Sequence, residues 1–475
     1  MQEAAAQEAA AQEAAAQEAS AREAAVREAV REASGQEGGP ARGALTDALS
    51  AELGAAAADT LAPALKLYLD LHAHPELSGQ EERTAARFAA ALTAAGCATT
   101  TGVGGHGVVG VLRNGPGPTV LLRTELDALP VQEDTGLPYA SEARAPGPDG
   151  ADVPVMHACG HDAHAAALTG AALVLAGLRE AWSGTVVIVG QPAEETLRGA
   201  REMLADGLYS RFPKPDVVLA QHVAPFPAGL VAHGTGSMTA ASATIEAVVH
   251  GRGGHAGMPH LAVNAAETAA LAVARMKART PPGTVLTVGA LHAGTRANVV
   301  PDRATLGITV RAADDAAVTA AVELVRESLR AESETAGSPR PPETEVTARA
   351  PGNVNDARYG AVVRSAHEAA LGAGHVVVWP SSTASEDFPW YGPAGAEEGL
   401  YEGAAVPTVY WMTGGVGAEQ WSAAAGSAEA PTGEKLATLP PNHSPKFAPE
   451  AVPTLRGAVH AMAAGALACL GPGAA

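Results

Sequence analysis

Cysteine is scarce in this chain. Cys97, Cys159 and Cys469 are the three it has, so one stays unpaired under any scheme, which argues against a disulfide scaffold and fits a reducing compartment. Positive charge is also short. Lys and Arg total 31 against 51 Asp and Glu, a formal net charge of -20, which argues against nucleic acid or an anionic membrane as a partner. No stretch reads as a membrane span, and the start lacks the basic region and apolar run of a signal peptide. A cytoplasmic location is the expectation. The 475 residues are 47% hydrophobic, enough for a large core and for two or three domains.

Residues 1–33 repeat Gln-Glu-Ala-Ala-Ala and then drift to Arg-Glu-Ala-Ala-Val. A period of five matches neither 3.5 nor 3.6, so no continuous apolar seam forms. Ala, Glu and Gln favour a single solvated helix, ended by Ser34-Gly35 and by Gly38-Gly39-Pro40. Residues 1–58 are therefore expected to be a low-complexity extension, helical or disordered. The folded part is expected to begin near Leu45 or Asp59, with Asp59 capping a helix that runs through His72.

The densest chemistry lies in Met156-His-Ala-Cys-Gly-His-Asp-Ala-His164. Thiolate, imidazole and carboxylate are the side chains that bind zinc and similar divalent metals. Cys159 and His161 cannot share a helix face, but they can converge in a loop entering a helix. Three strand ends add ligand-type residues. The run Thr119–Arg123 leads to Glu125 and Asp127, Gly184–Val189 leads to Glu194 and Glu195, and Asp216–His222 ends in a histidine. Open α/β sheets place their sites at such carboxyl ends. Of two adjacent carboxylates, one can hold a metal while its neighbour acts as general base.

Composition shifts after Ser237. Residues 238–350 read as β-α-β-β-α-β, a ferredoxin-like order expected of an inserted domain. This stretch carries Gly251-Arg-Gly-Gly-His255 and Asn298, and its glycines let backbone approach a ligand. It lacks the strand–GxGxxG–helix context of a dinucleotide site. The chain then returns to its first architecture, with Glu386 and Asp387 between strands and His443 in a Pro-rich loop ahead of a terminal helix.

These motifs carry a resemblance. Arg123-Thr-Glu-Leu-Asp127-Ala-Leu-Pro, Met156–His164, Gln191–Glu195, Gly251–Ala256, Asn298–Asp302, Glu386–Phe388 and His443 follow in the order of the co-catalytic metallopeptidases that include aminoacylases and glutamate carboxypeptidases. The chain most resembles their amidohydrolase branch, over about residues 60–470. The resemblance implies an α/β fold: a zinc-peptidase-like catalytic domain, 59–237 and 351–475, with a mixed sheet flanked by helices, and an inserted lid or dimerisation domain, 238–350. It implies two divalent metal ions, zinc or manganese with cobalt and nickel also acceptable, held by Cys159 as bridge and by His161, Glu195, His222 and His443. Glu194 would move the proton, His255 would stabilise the oxyanion, and Asn298 and Arg311 would hold the substrate's polar end. Asp127 and Glu125 would support the ligands. Glu125 stands where the family has Asp, which sets its carboxylate about one bond length further out.

The implied activity is cleavage of small N-acyl amino acids, with acetyl, benzoyl or aryl-acyl groups, by a homodimer paired through the inserted domain. A carboxypeptidase or dipeptidase of the same fold is the alternative, as is a catalytically silent binding subunit.

Overall fold

The computed structural model describes residues 45–147, 150–234 and 236–473. The repeat over residues 1–33 lies outside the described residues. A mixed sheet runs through the centre. Its strands lie in the order Ala98–Val103, Gly107–Asn114, Trp182–Gln191, Thr119–Glu125, Val217–Pro227, Thr408–Val416, Val231–Gly234 and Val376–Trp379. The four strands Trp182–Gln191, Thr119–Glu125, Val217–Pro227 and Thr408–Val416 are mutually parallel. Their near-continuous apolar sequence follows from burial on both faces. Val120 and Leu122 join the core beneath the helices His161–Gly177 and Ala451–Cys469, while Leu121 joins a second core on the other face with Met203 and Tyr391. The two helices approach closely because they are rich in Ala and Gly. A Cβ on Gly170 would lie 2.5 Å from Val459 Cγ2.

The folded part starts earlier than the patterning around Asp59 suggests. Thr46 Oγ1 accepts the Leu49 N–H at 3.2 Å and caps a helix Asp47–Asp59, in which Leu53 is fully buried against the central core. Asp59 therefore ends this helix, and Thr60 is the residue before the next one, Leu61–His72. Only Leu53 and Ala57 of the first helix are buried, so its apolar period is too faint to read from sequence.

A second, four-stranded antiparallel sheet has the order Val285–Ala293, Arg303–Ala312, Ala241–His250 and Glu343–Ala350. The helices Ala265–Arg279 and Asp315–Thr335 pack on it around a core of their own. The chain enters and leaves this unit through the paired segments Ser237–Thr239 and Asn353–Val354.

Between the strand Val231–Gly234 and the helices Ala357–Leu371 and Ala451–Cys469 lies a buried histidine pair. His367 Nε2 donates to the Ala461 carbonyl at 2.9 Å, so its Nδ1 accepts from His233 Nε2, also at 2.9 Å. Burial lowers His367 from 6.5 to about 4 and pushes His233 down as well. A folded pKa below the unfolded one gives stability that is present above pH 6.5 and lost as pH falls toward 4. For His367 alone this amounts to about 3 kcal/mol. In His367→Gln the amide can both donate to Ala461 and accept from His233, without a titrating group. Urea unfolding at pH 7 and pH 4 should show a smaller loss in the variant than in the wild type, and equal losses would contradict this account.

Candidate metal centre

Register places the candidate residues at one end of the parallel strands. Glu125 pairs with Gln191 and His222 with Met412, and Glu125 lies two residues beyond the Arg123–Ala220 pair, level with His222. The strand Trp182–Gln191 then turns into Glu194 and Glu195. Cys159 lies on a loop that Gly160, at φ 85°, turns into the helix beginning at His161.

The donor atoms converge. Cys159 Sγ lies 3.5 Å from His222 Nε2 and 3.2 Å from His443 Nε2. His161 Nε2 is 3.8 Å from both Glu194 Oε2 and Glu195 Oε1, and His443 Nε2 is 3.4 Å from Glu195 Oε2. Two donor groups, Cys159/His161/His222 and Cys159/Glu195/His443, each fit within 4.8 Å and share the cysteine. The five side chains assigned from sequence as ligands are thus brought together.

The tautomers agree with this arrangement. His161 Nδ1 is held by the Asp127 carbonyl at 2.9 Å and by Asp127 Oδ1 at 3.2 Å, and His222 Nδ1 by the Val223 carbonyl at 2.8 Å, which leaves each Nε2 directed at the cluster. His161 Nε2 and Glu195 Oε1 are buried without a hydrogen-bond partner, a costly state for polar atoms that a cation would relieve. Burial, with Glu195 and Glu194 alongside, pushes the Cys159 thiol up. Burial and the neighbouring carboxylates Glu386 and Glu195 also push Glu194 up. Burial alone would lower His161, but its bond to Asp127 and the charges of Glu125, Asp127 and Glu195 outweigh this and raise it to about 10. The site is an excess of anionic donors, and a divalent cation is what would draw protons off them. The residues present fit such a group.

Several supporting residues are not evident from sequence. His164 is spent: its Nδ1 bonds Glu125 Oε2 at 2.8 Å and its Nε2 accepts the Val223 N–H at 2.8 Å, which fixes the peptide beside His222. The extra methylene of Glu125 spans from His164 to Arg123, with which it is also paired. Arg123 is fully buried and donates to Gln191 Oε1 at 2.9 Å, Glu386 at 2.8 Å and Asp387 at 2.9 Å. Asp162, the remaining acid of the motif, faces away and bonds His72 Nδ1 at 2.7 Å.

Asn442 ties the ligand-bearing loops together. Its Nδ2 donates to the Cys159 carbonyl at 3.2 Å and the Val223 carbonyl at 3.1 Å, while the His443 N–H reaches the Ala158 carbonyl at 2.8 Å. His443 itself adopts φ 70°, a left-handed conformation that a side chain enters at a cost. Its position next to His443 in a Pro-rich loop is the one signal in the sequence. Asn442→Ala should weaken metal binding by about 10–100-fold, measured by titrating metal-free protein with zinc. An unchanged affinity would show that the loop holds itself.

His255 and Asn298 stand apart from this cluster. They sit together on the inserted unit, where the Ala256 N–H reaches the Asn298 carbonyl at 3.1 Å and His255 is exposed. Among the described residues no hydrogen bond or ion pair joins either one to the Cys159 cluster. Arg311 crosses from the inserted unit instead. Its Nη1 donates to the Thr383 carbonyl at 2.7 Å and to Ser385 Oγ at 3.0 Å, beside Glu386.

Comparison with known proteins agrees with this geometry. The model for peptidase family M20/M25/M40 matches residues 121–421. An N-acetylcysteine deacetylase of Bacillus subtilis is 31% identical over 365 residues, covering 74% of this chain and 88% of its own length. A hippurate hydrolase of Campylobacter jejuni is 36% identical over 258 residues, covering 53% of this chain and 64% of its own. The chain spans a similar share, under two thirds, of several other relatives, down to 55%. Among solved structures, a dinuclear metal-binding peptidase of Bacillus subtilis is similar with a TM-score of 0.64 and 26% identity, covering 86% of this chain and 98% of that one.

Proposed function

The chain belongs to peptidase family M20/M25/M40, and from that premise we propose that it is a metal-dependent amidohydrolase. It cleaves the amide bond of small N-acyl amino acids to a carboxylate and a free amino acid. The observation that carries this reading is the pair of donor groups sharing Cys159, with Glu194 alongside, 3.8 Å from His161 and grouped also with Glu386 and Asp387. The relatives named for N-acetylcysteine and hippurate support the substrate class.

Cys159, His161, His222, Glu195 and His443 would hold two divalent cations, zinc or manganese. When bound, these supply Lewis-acid polarisation of the amide carbonyl and acidify the attacking water. Glu194 takes the water's proton on its carboxylate and returns it to the leaving amine. Its place beside His161, with Glu386 and Asp387 on its other side, suits it to pass that proton between the two steps. Asp127 orients His161, and Arg123 keeps Glu386 and Asp387 neutralised behind the base.

Residues 238–350 act as a lid and dimerisation domain that brings His255 to the oxyanion and Asn298 to the substrate's polar end. Arg311, with Nη1 already anchored, offers its remaining N–H groups to a carboxylate. Exposed Leu271, Leu291 and Val299 on the inserted unit support pairing of two chains there.

The test is a panel of N-acetyl, N-benzoyl and indole-acetyl amino acids beside dipeptides, with added zinc, manganese or cobalt, read as amino acid released. Cleavage of acyl amino acids is the expected result. Cleavage of dipeptides alone would replace this reading with a peptidase, and no cleavage of either would overturn it.

A further inference from the structure

The turn that carries Glu194 and Glu195 is strained. Ala193 and Leu197, on either side of the acids, adopt φ values of 52° and 56°, each at a cost of about 1–2 kcal/mol. The turn is also tightly closed. The Leu197 N–H reaches the Glu194 carbonyl at 2.6 Å, and a Cβ on Gly199 would overlap the Pro192 carbonyl oxygen at 1.7 Å. Strain of this kind persists only where the surroundings over-determine it.

Three buried carboxylates from distant parts of the chain hold the turn, each accepting one of its N–H groups. Glu81 Oε1 takes Ala193 N at 2.8 Å, Asp127 Oδ2 takes Glu195 N at 2.9 Å, and Asp387 Oδ2 takes Ala200 N at 3.0 Å. Asp127 also orients His161, and Asp387 also pairs with Arg123. Glu81 has neither duty. It precedes the helix Glu82–Ala94, is fully buried, and uses Oε1 for Ala193 N and for Gly79 N at 2.7 Å. Its Oε2 is buried with no partner. A carboxyl group kept with one oxygen unsatisfied costs the fold, so the acceptor it presents to Ala193 must be worth that cost elsewhere.

We propose that Glu81 is a positioning residue for the reaction. It locks Ala193 in the left-handed conformation, and so sets where the two acids of the turn reach: both come within 3.8 Å of His161 Nε2, Glu195 extends on to His443, and Glu194 stands beside Glu386 and Asp387. The second contact of each acid, His443 for Glu195 and the Glu386–Asp387 pair for Glu194, is what the shape of the turn would set. The inference rests on the metal-dependent hydrolase reading of the site, and Glu81 acts through the turn without touching substrate.

Three variants test it. Glu81→Ala removes the acceptor. Glu81→Gln keeps a carbonyl oxygen in its place. In Glu81→Ala with Ala193→Gly, residue 193 enters the left-handed region without a Cβ penalty. Metal-free protein is titrated with cobalt(II) and followed by its visible absorption, with melting temperature and the KM and kcat of the wild type's best substrate measured alongside. Glu81→Ala should weaken cobalt binding by about 10–100-fold, alter the spectrum and lower kcat more than it raises KM. Glu81→Gln and the double variant should recover most of the loss.

Glu81→Ala with a lower melting temperature but wild-type cobalt affinity and kcat would reveal a purely structural residue and overturn the proposal. If Glu81→Ala does not fold, Glu81→Gln decides alone: a spectrum and kcat as damaged as those of a ligand variant would equally overturn it. Cobalt binding needs no substrate, so a wild type that binds cobalt but cleaves nothing in the panel refutes the amidohydrolase reading and leaves this test standing.

Discussion

Glu194→Gln is expected to lower amide cleavage by about 10²–10⁴-fold, the usual loss when a general base is removed, with metal content unchanged. The argument is geometric. Glu194 Oε2 is 3.8 Å from His161 Nε2 and groups with His161 and Glu195 and with Glu386 and Asp387, but not with Cys159, the residue common to the two proposed cation sites. Burial and nearby Glu386 push its pKa up in the metal-free site, and its place beside His161 is where a base acting on the attacking water would stand. An amide cannot take the proton but fills the same volume, and the turn should keep its shape. Stopped kinetics with full metal is the expected result. Activity within a few-fold of the wild type would move the proton transfer to another group, and loss of metal together with activity would make Glu194 a ligand.

Arg123→Met should destabilise the fold by about 3–5 kcal/mol, the cost of breaking a buried ion pair from one side. Arg123 has no exposed surface and is the shared partner of Glu125, Glu386 and Asp387. Burial already pushes Asp387 up to about 8 despite the guanidinium. Met fills the stem but leaves three carboxylates without their cation, among them the one that holds the Ala200 N–H. Urea unfolding of the two proteins measures the difference. A loss below about 1 kcal/mol, as for an exposed pair, would mean that the carboxylates protonate and repack at little cost.

Much of the site was legible because metal donors crowd a short stretch. Met156–His164 announced itself, and the strand ends at Glu195 and His222 added to it, since a parallel sheet brings its carboxyl ends together whatever the order of its strands. The order of elements in the inserted unit was also readable from alternating periodicity, as in Arg303–Ala312, whose side chains alternate between buried and half-exposed. The supporting residues were not legible. Glu81 belongs to none of the motifs, and its bond to Ala193 exists only once distant segments pack. Glu386 and Asp387 stood out as two acids between strands, in the family's order, but nothing local announces that Arg123 bonds both. His164 closes the motif Met156–His164, yet nothing local shows that Glu125 and Val223 occupy both of its nitrogens. The helix Asp47–Asp59 was missed because it buries little beyond one leucine.

The most direct test of the central claim is the metal content of protein purified without chelator, measured by elemental analysis for the wild type and Cys159→Ser. Because both donor groups share Cys159, close to two divalent cations per chain are expected in the wild type, with both weakened in the variant. A wild type that takes up no cation, or a Cys159→Ser variant that keeps the full complement, would contradict the assignment of this cluster as a two-metal site.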